Sequence, residues 1–522
     1  MPQPSDRAVL VATIGTRDWM YQTSQGKWVN LGDDRQVNPS CPSQQQEALA
    51  DLQFEGMPSS VKMYRALCEY LWQQGERYLD RLQPVILGRL LAERHPELAQ
   101  VYWIGTDQAD ERYRQRDTLP AAQLLKVWME RRHPQLPATV LTLTENPSDF
   151  EKMFQWWRRQ WRVMDLPPQG TVWACFKGGV GQTAEAGRVS GLSALGDRIV
   201  FFDFREDPDA NRQGQPSAYI GPYIGRNYLW DRTQQQALTL LSRWDYAGVA
   251  ALLQPMLSSP KAPTHLGDRL QLAMAWNVAD LATVETLYRQ IYEDKPPFAW
   301  WQIGYEAAYL ATIRQRQGNS VEAFFHSFRA VEGLFSEWGK QAFAGHVEIH
   351  DRRPYLQPSI LQERPAVFQG AKFKKDKPDN SLAKVQRNLE EVQTKLRECQ
   401  ENNTPNPKPP PKGLLLYGWE LYALFRAVCP DYETRCPALK EFWDNNEGIA
   451  ADRNRLFHQL QQLSADELFA VWREKTAEGW EQRVLAYLNA IAGQNFTSFA
   501  NASVMHRVHA DLQKAIDDWL EV

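Results

Sequence analysis

The chain has 522 residues and a formal net charge of −4, with 43% hydrophobic and 23% charged residues. This length exceeds what one hydrophobic core supports, so we predict roughly two to four domains of ordinary globular composition. The slight negative charge excludes a protein that coats nucleic acid, although it allows a local basic site.

No apolar run reaches the roughly 18–20 residues that a membrane-spanning helix needs, and residues 8–14 lack the features of a signal peptide. The six cysteines are scattered without CxxC spacing. We therefore expect a cytoplasmic protein, not associated with a membrane, whose reduced cysteines pack as small hydrophobic side chains. Most of the 20 tryptophans fall in helical patterns and are interpreted as core.

Strands and helices alternate over the first 205 residues. Strands are predicted at 8–14, 101–104, 138–143, 171–176 and 198–204, and helical segments at 60–93, 118–132, 148–163 and 182–195. Such alternation predicts a doubly wound parallel sheet. Residues 22–58 interrupt it as a polar insertion, which is either a binding element or a disordered segment.

From about residue 233 the predicted elements are all helical. The pattern indicates a helical hairpin at 233–257, helices at 265–292, two long helices in 300–340 broken at Gly318-Asn319, and helices from 413 to 520. Segment 371–412 combines a lysine-rich start, a proline-rich spacer at 405–412 and a short heptad seam suited to a neighbouring helix. The seam consists of Leu382, Val385, Leu389, Val392 and Leu396. The predicted fold class is α/β plus all-α.

Three predicted strands end in glycine turns, at Gly15-Thr16, Gly105-Thr106 and Gly178-Gly179. Ligands of open α/β sheets bind at the carboxyl ends of the strands. Glycine there lets backbone amides approach a phosphate, and a following helix N-terminus favours negative charge. The turns therefore predict a crevice for a nucleotide or phosphate, with plain turn chemistry as the alternative.

The segment KGGVGQT at 177–183 resembles the variant phosphate-binding loop of the partitioning-type ATPases. Gln182 stands where their lysine would reach the terminal phosphates, and beyond Asp203 no strand-end carboxylate for magnesium stands out. Without that lysine the loop lacks the charge on which ATP hydrolysis depends. We interpret it as an anion-binding turn, and a degenerate ATPase is the weaker alternative.

The helical half contains AADRNRLFHQL at 450–460. On a helix Asn454 and His458 share a face, while Arg453 lies about 140° around from His458. Histidine can move a proton near neutral pH and arginine can neutralise charge on a phosphate, which together suit metal-free RNA cleavage. The spacing also arises by chance, so an ordinary polar helix face is the alternative.

Taken together, the chain resembles the CRISPR-associated ribonucleases of type III systems, which join a CARF domain to a C-terminal HEPN domain. The resemblance rests on VATIGTRD in the first strand, FKGGVGQTAEAG at the fourth, the helical second half and RNRLFH near the C-terminus. It implies a Rossmann-like CARF ligand-sensing domain at 1–230, a helical linker domain at 231–300 and a HEPN nuclease domain at 301–522 with an insertion at 371–412. The insertions at 22–58 and 371–412 depart from the family pattern. They leave open whether the cyclic ligand contains four or six adenosines.

The resemblance implies a cyclic oligoadenylate as allosteric activator, bound across the two CARF domains of a homodimer, with no other cofactor and no metal. Single-stranded RNA would be cut to a 2′,3′-cyclic phosphate and a 5′-hydroxyl. His458 would be the acid–base group, Arg453 would stabilise the phosphate, and Asn454 would donate an orienting hydrogen bond. The implied ligand-binding residues are Thr13, Gly15, Thr16, Arg17, Gly105, Thr106, Lys177, Gly178, Gly179, Val180, Gly181, Gln182 and Thr183.

Three other positions have two interpretations each. We expect Glu332 to be a solvated helix residue, and the alternative is that it orients Arg453. His506 and His509 have a spacing that metal pairs use, but without a third ligand we favour packing. For the whole chain, the alternative to a nuclease is a non-catalytic, nucleotide-responsive regulator with a helical docking module.

Overall fold

The computed structural model describes the chain except for residues 1–6, 37–40, 55–62, 294, 297, 375–376, 379–380, 402–410, 444–447, 450–451, 454–462 and 520–522. The chain forms two compact units, Met1–Arg232 and Thr233–Val522. We call them the N-terminal unit and the helical unit.

The N-terminal unit is built on a six-stranded sheet with the order β6-β5-β1-β7-β8-β9. Its strands are β1 (Ala8–Thr13), β5 (Leu98–Thr106), β6 (Ala138–Leu143), β7 (Val172–Cys175), β8 (Ile199–Arg205) and β9 (Ala218–Ile224). All neighbours are parallel except β8 and β9. The predicted parallel sheet is confirmed, and the antiparallel edge strand β9 escaped prediction.

Helices cover the faces of this sheet because both of its faces are apolar. On one face lie α2 (Tyr64–Gln73), α3 (Gly88–Arg94) and α5 (Leu119–Arg132), and on the other lie α6 (Phe150–Val163) and α7 (Gly181–Leu195). The short helices α4 (Glu111–Arg114) and α8 (Pro208–Asn211) bury none of their residues. Tryptophans join α6 to α7: the indole N–H of Trp157 donates to Thr183 O at 2.9 Å and that of Trp161 to Ser190 Oγ at 3.0 Å. Both rings are buried, as the helical pattern predicted.

The polar insertion is partly ordered. It contributes β3 (Trp28–Asn30) and α1 (Gln44–Asp51); β3 pairs with β2 (Trp19–Gln22), and β2 also pairs with β4 (Leu82–Pro84). Because β4 lies inside the predicted helical segment 60–93, that prediction is wrong around this strand, which separates the helices at the two ends of the segment. Gly32 packs so closely on the backbone of Thr16 that a Cβ there would lie 1.7 Å from Thr16 O. The insertion therefore forms one wall beside the first glycine turn.

The helical unit begins with four consecutive helices, in the region where a helical hairpin and further helices were predicted. Its α-helices are α9 (Trp230–Ser242), α10 (Tyr246–Leu257), α11 (Leu266–Asn277), α12 (Leu281–Ile291), α13 (Gln302–Arg316), α14 (Ser320–Ala342), α15 (Ile360–Glu363), α16 (Ser381–Glu401), α17 (Gly418–Val428) and α18 (Tyr432–Arg435), followed by Ala465–Val471, Ala477–Ala492, Phe499–Ala502 and Val504–Asp517. α13 ends at the predicted break, where Gly318 has φ +79° and the side chain of Asn319 caps α14 through Glu322 N.

The expectation of helices alone after residue 233 is wrong in detail. A hairpin of β10 (Val347–His350) and β11 (Arg353–Leu356) turns through Asp351 and Arg352, both at positive φ. β11 also pairs with β14 (Leu414–Leu415), and the short strands β12 (Phe373–Lys374) and β13 (Lys377–Pro378) pair with each other. Segments this short carry little alternation, which is why the sequence pattern missed them.

Two smaller predictions have mixed outcomes. Val385 and Leu389 of the seam on α16 are buried, whereas Leu382, Val392 and Leu396 are half-exposed. Three cysteines, Cys68, Cys175 and Cys436, are buried as expected, but Cys41 and Cys399 are exposed. Among the described residues, no helix combines the length and apolar character needed to cross a bilayer.

Candidate functional site

The first and third glycine turns touch at the centre of the sheet, where β1 lies between β5 and β7. Thr13 Oγ1 donates a hydrogen bond to Gly178 O at 2.5 Å. A Cβ at Gly178 would lie 2.3 Å from Thr13 O, and one at Gly15 would lie 2.7 Å from Gly179 N. Both turns therefore need glycine because their backbones are in contact.

This contact lies at the topological switch point of the sheet. From β1 the chain runs outward through β5 and β6, then returns to continue through β7 and β8 on the other side. Such a point leaves a crevice at the carboxyl ends of the strands. The α7 helix starts there, and none of the described side chains caps its first turn. Its leading amides suit an anion.

A cavity of about 380 Å³ occupies this crevice. Thr16, Thr106, Gly179 and Val180 line it, which brings together residues from all three predicted glycine turns. The other lining residues are Ile14, Gln108, Tyr113, Arg116, Asp117, Thr118, Asn146, Pro147 and Ser148. The cavity combines backbone amides, hydroxyl groups, side-chain amides and one exposed aromatic ring. This set of groups is able to hold phosphates and bases.

The remaining predicted ligand-binding residues divide into two groups. Gly15, Thr13 and Gly105 are buried within the turns, and Thr183 is buried with its hydroxyl donated to Pro147 O at 2.8 Å. These four residues support the structure of the crevice, because their groups already have partners within the protein. Arg17, Lys177, Gly181 and Gln182 are exposed beside it.

Two exposed cations of this group lie near carboxylates. Lys177 Nζ is 3.8 Å from Asp203 Oδ1, the carboxylate considered from the sequence for magnesium. Arg17 lines a neighbouring cavity of about 270 Å³ together with Asn30, Arg35 and Glu206. Both cations thus lie at the rim of the crevice, where Lys177 already faces a carboxylate.

Asp18, the last residue of the first-strand motif VATIGTRD, supports the first glycine turn. Its Oδ2 accepts a hydrogen bond from Gly15 N at 2.8 Å, while Oδ1 has no hydrogen-bond partner among the described residues. Burial raises the pKa of Asp18 to about 7, although the Gly15 hydrogen bond opposes that rise. Tyr64 completes the support by donating to Gly15 O at 3.0 Å.

Sequence reasoning missed Gln108, Tyr113, Asn146 and Ser148, which line the cavity. Gln108 and Tyr113 lie beyond Gly105-Thr106 in the loop after β5, and Asn146 and Ser148 follow β6, which ends without a glycine turn, so no motif marked these positions. Only their position in the chain could have identified them, since both segments follow the carboxyl ends of parallel strands. Asp117 holds this loop by accepting hydrogen bonds from Gln108, including one from Gln108 Nε2 at 2.9 Å.

The second candidate site belongs to the helical unit. Arg453 is half-buried, with Nη1 3.5 Å from Glu332 Oε2 and its guanidinium 4.8 Å from the ring centre of Phe328. Both partners lie on α14. The expectation that Glu332 is a solvated residue is wrong, because α14 presents it to Arg453. Burial raises the pKa of Glu332, and the adjacent guanidinium opposes that rise. Asn454 and His458 lie outside the described residues.

His506 and His509 contact tyrosines. His509 stacks on Trp244 with ring centres 4.0 Å apart, and its Nδ1 lies 3.1 Å from Tyr246 Oη. His506 Nδ1 lies 3.2 Å from Tyr309 Oη. Burial and the neighbouring His506 lower the pKa of His509 to about 4. These contacts fit the packing interpretation.

No protein-family model and no curated protein matches this chain. Among solved structures, it is similar to Enterococcus italicus Csm6 bound to cyclic hexa-2′-fluoro-hexa-dAMP, with a TM-score of 0.52 and 12% sequence identity. The alignment covers 97% of this chain and 99% of that one, so it includes both units. The chain therefore shares the overall fold of that structure, a Rossmann-like α/β unit followed by a helical unit.

Proposed function

We propose that this protein is a cyclic oligoadenylate-activated, metal-independent endoribonuclease that cleaves single-stranded RNA in type III CRISPR antiviral defence. The observation that carries the proposal is similarity in fold over the whole chain to a Csm6 bound to a cyclic hexanucleotide analogue. The crevice at the switch point supports it independently, since a ring of adenosine phosphates presents both anions and bases.

In this proposal, residues 1–230 sense the activator. Phosphates would meet the amides at Gly179, Val180 and the start of α7, and the exposed ring of Tyr113 would stack on an adenine. Arg17 and Lys177 would add charge at the rim. A ring with rotational symmetry suits a two-fold pocket in a homodimer, because each protomer offers the same surface.

The reaction would take place in the region 301–522, after activator binding shifts its geometry. The 2′-hydroxyl oxygen attacks the adjacent phosphorus and the bond to the 5′-oxygen breaks, which leaves a 2′,3′-cyclic phosphate and a 5′-hydroxyl. His458 would transfer the proton, Arg453 would stabilise the charge on the phosphate, and Asn454 would orient the site. Glu332 would hold the Arg453 guanidinium in place.

The direct test is cleavage of single-stranded RNA in EDTA, with and without cyclic tetra-adenylate and hexa-adenylate. We expect cleavage only with one of the rings, 2′,3′-cyclic phosphate ends, and loss of cleavage in His458→Ala and Arg453→Ala. Cleavage that requires magnesium or survives His458→Ala contradicts the mechanism.

A non-catalytic regulator remains the second candidate, favoured by the run of four consecutive helices from α9 to α12. It predicts that a ring stabilises the protein against thermal unfolding while no RNA is cleaved. A thermal-shift series with cyclic oligoadenylates, run beside the cleavage assay, separates the two candidates and identifies the ring size.

A further inference from the structure

The helical unit holds a cavity of about 490 Å³ beside Glu332. One wall is a face of α14, formed by Arg329, Glu332, Gly333 and Ser336. The opposite walls come from the β11 strand and from the segment that enters α17: Arg353, Pro354, Leu415, Leu416, Tyr417, Gly418 and Leu421, together with Trp443. Its volume falls in the range of roughly 300–1,000 Å³ that is usual for small-ligand sites.

The chemistry of the walls is amphipathic. Leu416, Leu421 and Trp443 are buried and apolar, whereas Tyr417 is 55% exposed. The indole N–H of Trp443 has no hydrogen-bond partner among the described residues, although it is buried. Buried donors are normally satisfied, so an unpaired one in a cavity wall points to a missing acceptor.

The rim is cationic. Arg329 and Arg353 are both exposed, and within the described part of the chain neither forms an ion pair. Exposed arginines that form no ion pair suit phosphate groups, because the guanidinium presents a planar fork of donors. The cavity also has acceptors, the carboxylate of Glu332 and the hydroxyl of Ser336.

We propose that this cavity receives one unstacked base of the single-stranded RNA substrate, next to the phosphate that is cleaved. The inference rests on the proposed function. The base would stack on the aromatic side of the cavity, with an amino group donated to Glu332, while Arg329 and Arg353 hold the flanking phosphates. Because Glu332 lines the cavity and also lies 3.5 Å from Arg453, the base would sit beside the reacting phosphate.

A second copy of this chain is the alternative occupant of this cavity, but the charged side chains around the opening favour RNA. Cores of protein interfaces are depleted of charged side chains. Here two arginines and one carboxylate surround the opening. That arrangement matches a nucleotide, which presents anionic phosphates and a base with polar edges.

A large side chain at Gly333 would fill the cavity. A Cβ added there would meet nothing within 4 Å, so Gly333→Phe would enter open space rather than the core. Replacing a glycine within a helix also favours folding. Val321→Phe is the matched control, because Val321 is 53% exposed on the same helix and lies outside the cavity.

The experiment measures cleavage of short RNAs that vary at one position beside the cut, and binding of a fluorescent RNA by the same variants combined with His458→Ala. We expect Gly333→Phe to raise KM about tenfold and to remove the base preference, with Val321→Phe like wild type. Arg329→Ala and Arg353→Ala should each weaken binding and reduce its salt dependence by about one phosphate contact. Arg397→Ala, an exposed arginine on α16, is their control.

Unchanged KM and base preference in Gly333→Phe would overturn the inference. Conversion of a dimer to a monomer by Gly333→Phe would also overturn it, in favour of a contact between copies. If wild type cleaves no RNA with any ring, the proposed function fails, and the binding measurement still decides about the cavity: binding lost in Gly333→Phe supports it, and binding retained contradicts it.

Discussion

Glu332 Oε2 lies 3.5 Å from Arg453 Nη1, and one turn earlier on the same helix the ring of Phe328 lies beneath the guanidinium. A carboxylate on one side and an aromatic face on another fix the plane of an arginine that a solvated neighbour would leave mobile. This pair connects the predicted nuclease motif to α14, the longest helix that the structure describes.

Glu332→Gln should lower kcat for RNA cleavage about tenfold, because Arg453 keeps its neighbour but loses the opposite charge. A tenfold change corresponds to about 1.4 kcal/mol of transition-state stabilisation. Activator affinity should not change. Glu337→Gln is the control, since Glu337 lies on the same helix but pairs with Lys340 at 2.6 Å. Equal effects of the two substitutions would show that Glu332 has no special role.

Gly178→Ala should lower the melting temperature and weaken activator binding. Its Cβ would overlap the backbone at Thr13 O and Gly15 N, at 2.3 and 2.6 Å, and overpacking of this kind costs about 1–3 kcal/mol. Gly181→Ala, three residues later, meets nothing within 4 Å and should leave the melting temperature unchanged. Thermal unfolding with and without the activator measures both effects. A Gly178→Ala protein as stable as Gly181→Ala would contradict the close contact of the turns.

Tyr113→Ala should weaken activator binding about tenfold without loss of stability. The side chain is 57% exposed and lines the crevice, and stacking on one base contributes roughly 1–3 kcal/mol. Tyr228→Ala is the control, because Tyr228 is 60% exposed in the same unit and does not line the cavity. Calorimetric titration of the ring into each variant gives the comparison. If both variants bind like wild type, Tyr113 is not part of the ligand site.

Asp18 should make stability depend on pH. Its pKa rises on folding from 3.8 to about 7, so the folded state binds an extra proton between these values. The contribution is therefore fully present below pH 3.8 and is lost as the pH rises through 7, at up to about 1.4 kcal/mol per pH unit. Asp18→Asn removes this titration. Urea unfolding from pH 5 to 8 should show the variant gaining stability relative to wild type up to pH 7 and then no further gain. A constant difference would contradict the assignment.

The hydrophobic pattern was sufficient to predict those helices and strands that are long or buried on both faces. The strand predicted at 8–14 is observed at Ala8–Thr13, where every residue is buried, and α13 and α14 meet at the predicted break at Gly318-Asn319. The helix after β7 was predicted from 182 and begins at Gly181. Burial on both sides leaves a strong signal because every position must be apolar. Short elements such as β4 and β10 carry too few residues for such a signal, and β9 lacks it because none of its residues is fully buried.

The residues of the candidate site also divide into those that a sequence pattern marked and those that it did not. Glycine turns marked three loops of the crevice, because close backbone contact demands glycine and a motif records it. Gln108 and Tyr113 lie farther along one of these loops, and Asn146 lies in a loop without a glycine turn. No residue type marked these three positions, and folding alone brings them into the cavity.

By itself, the sequence determined the two-part architecture, the glycine turns and the residue types of the nuclease motif, because these depend on local periodicity and on nearby residues. Only the tertiary structure decided that Gly15 meets Gly178 and that Glu332 faces Arg453, pairs separated by more than a hundred residues. Such contacts depend on sheet order and helix packing. Many chain traces satisfy the same local pattern, so they could not be read from spacing.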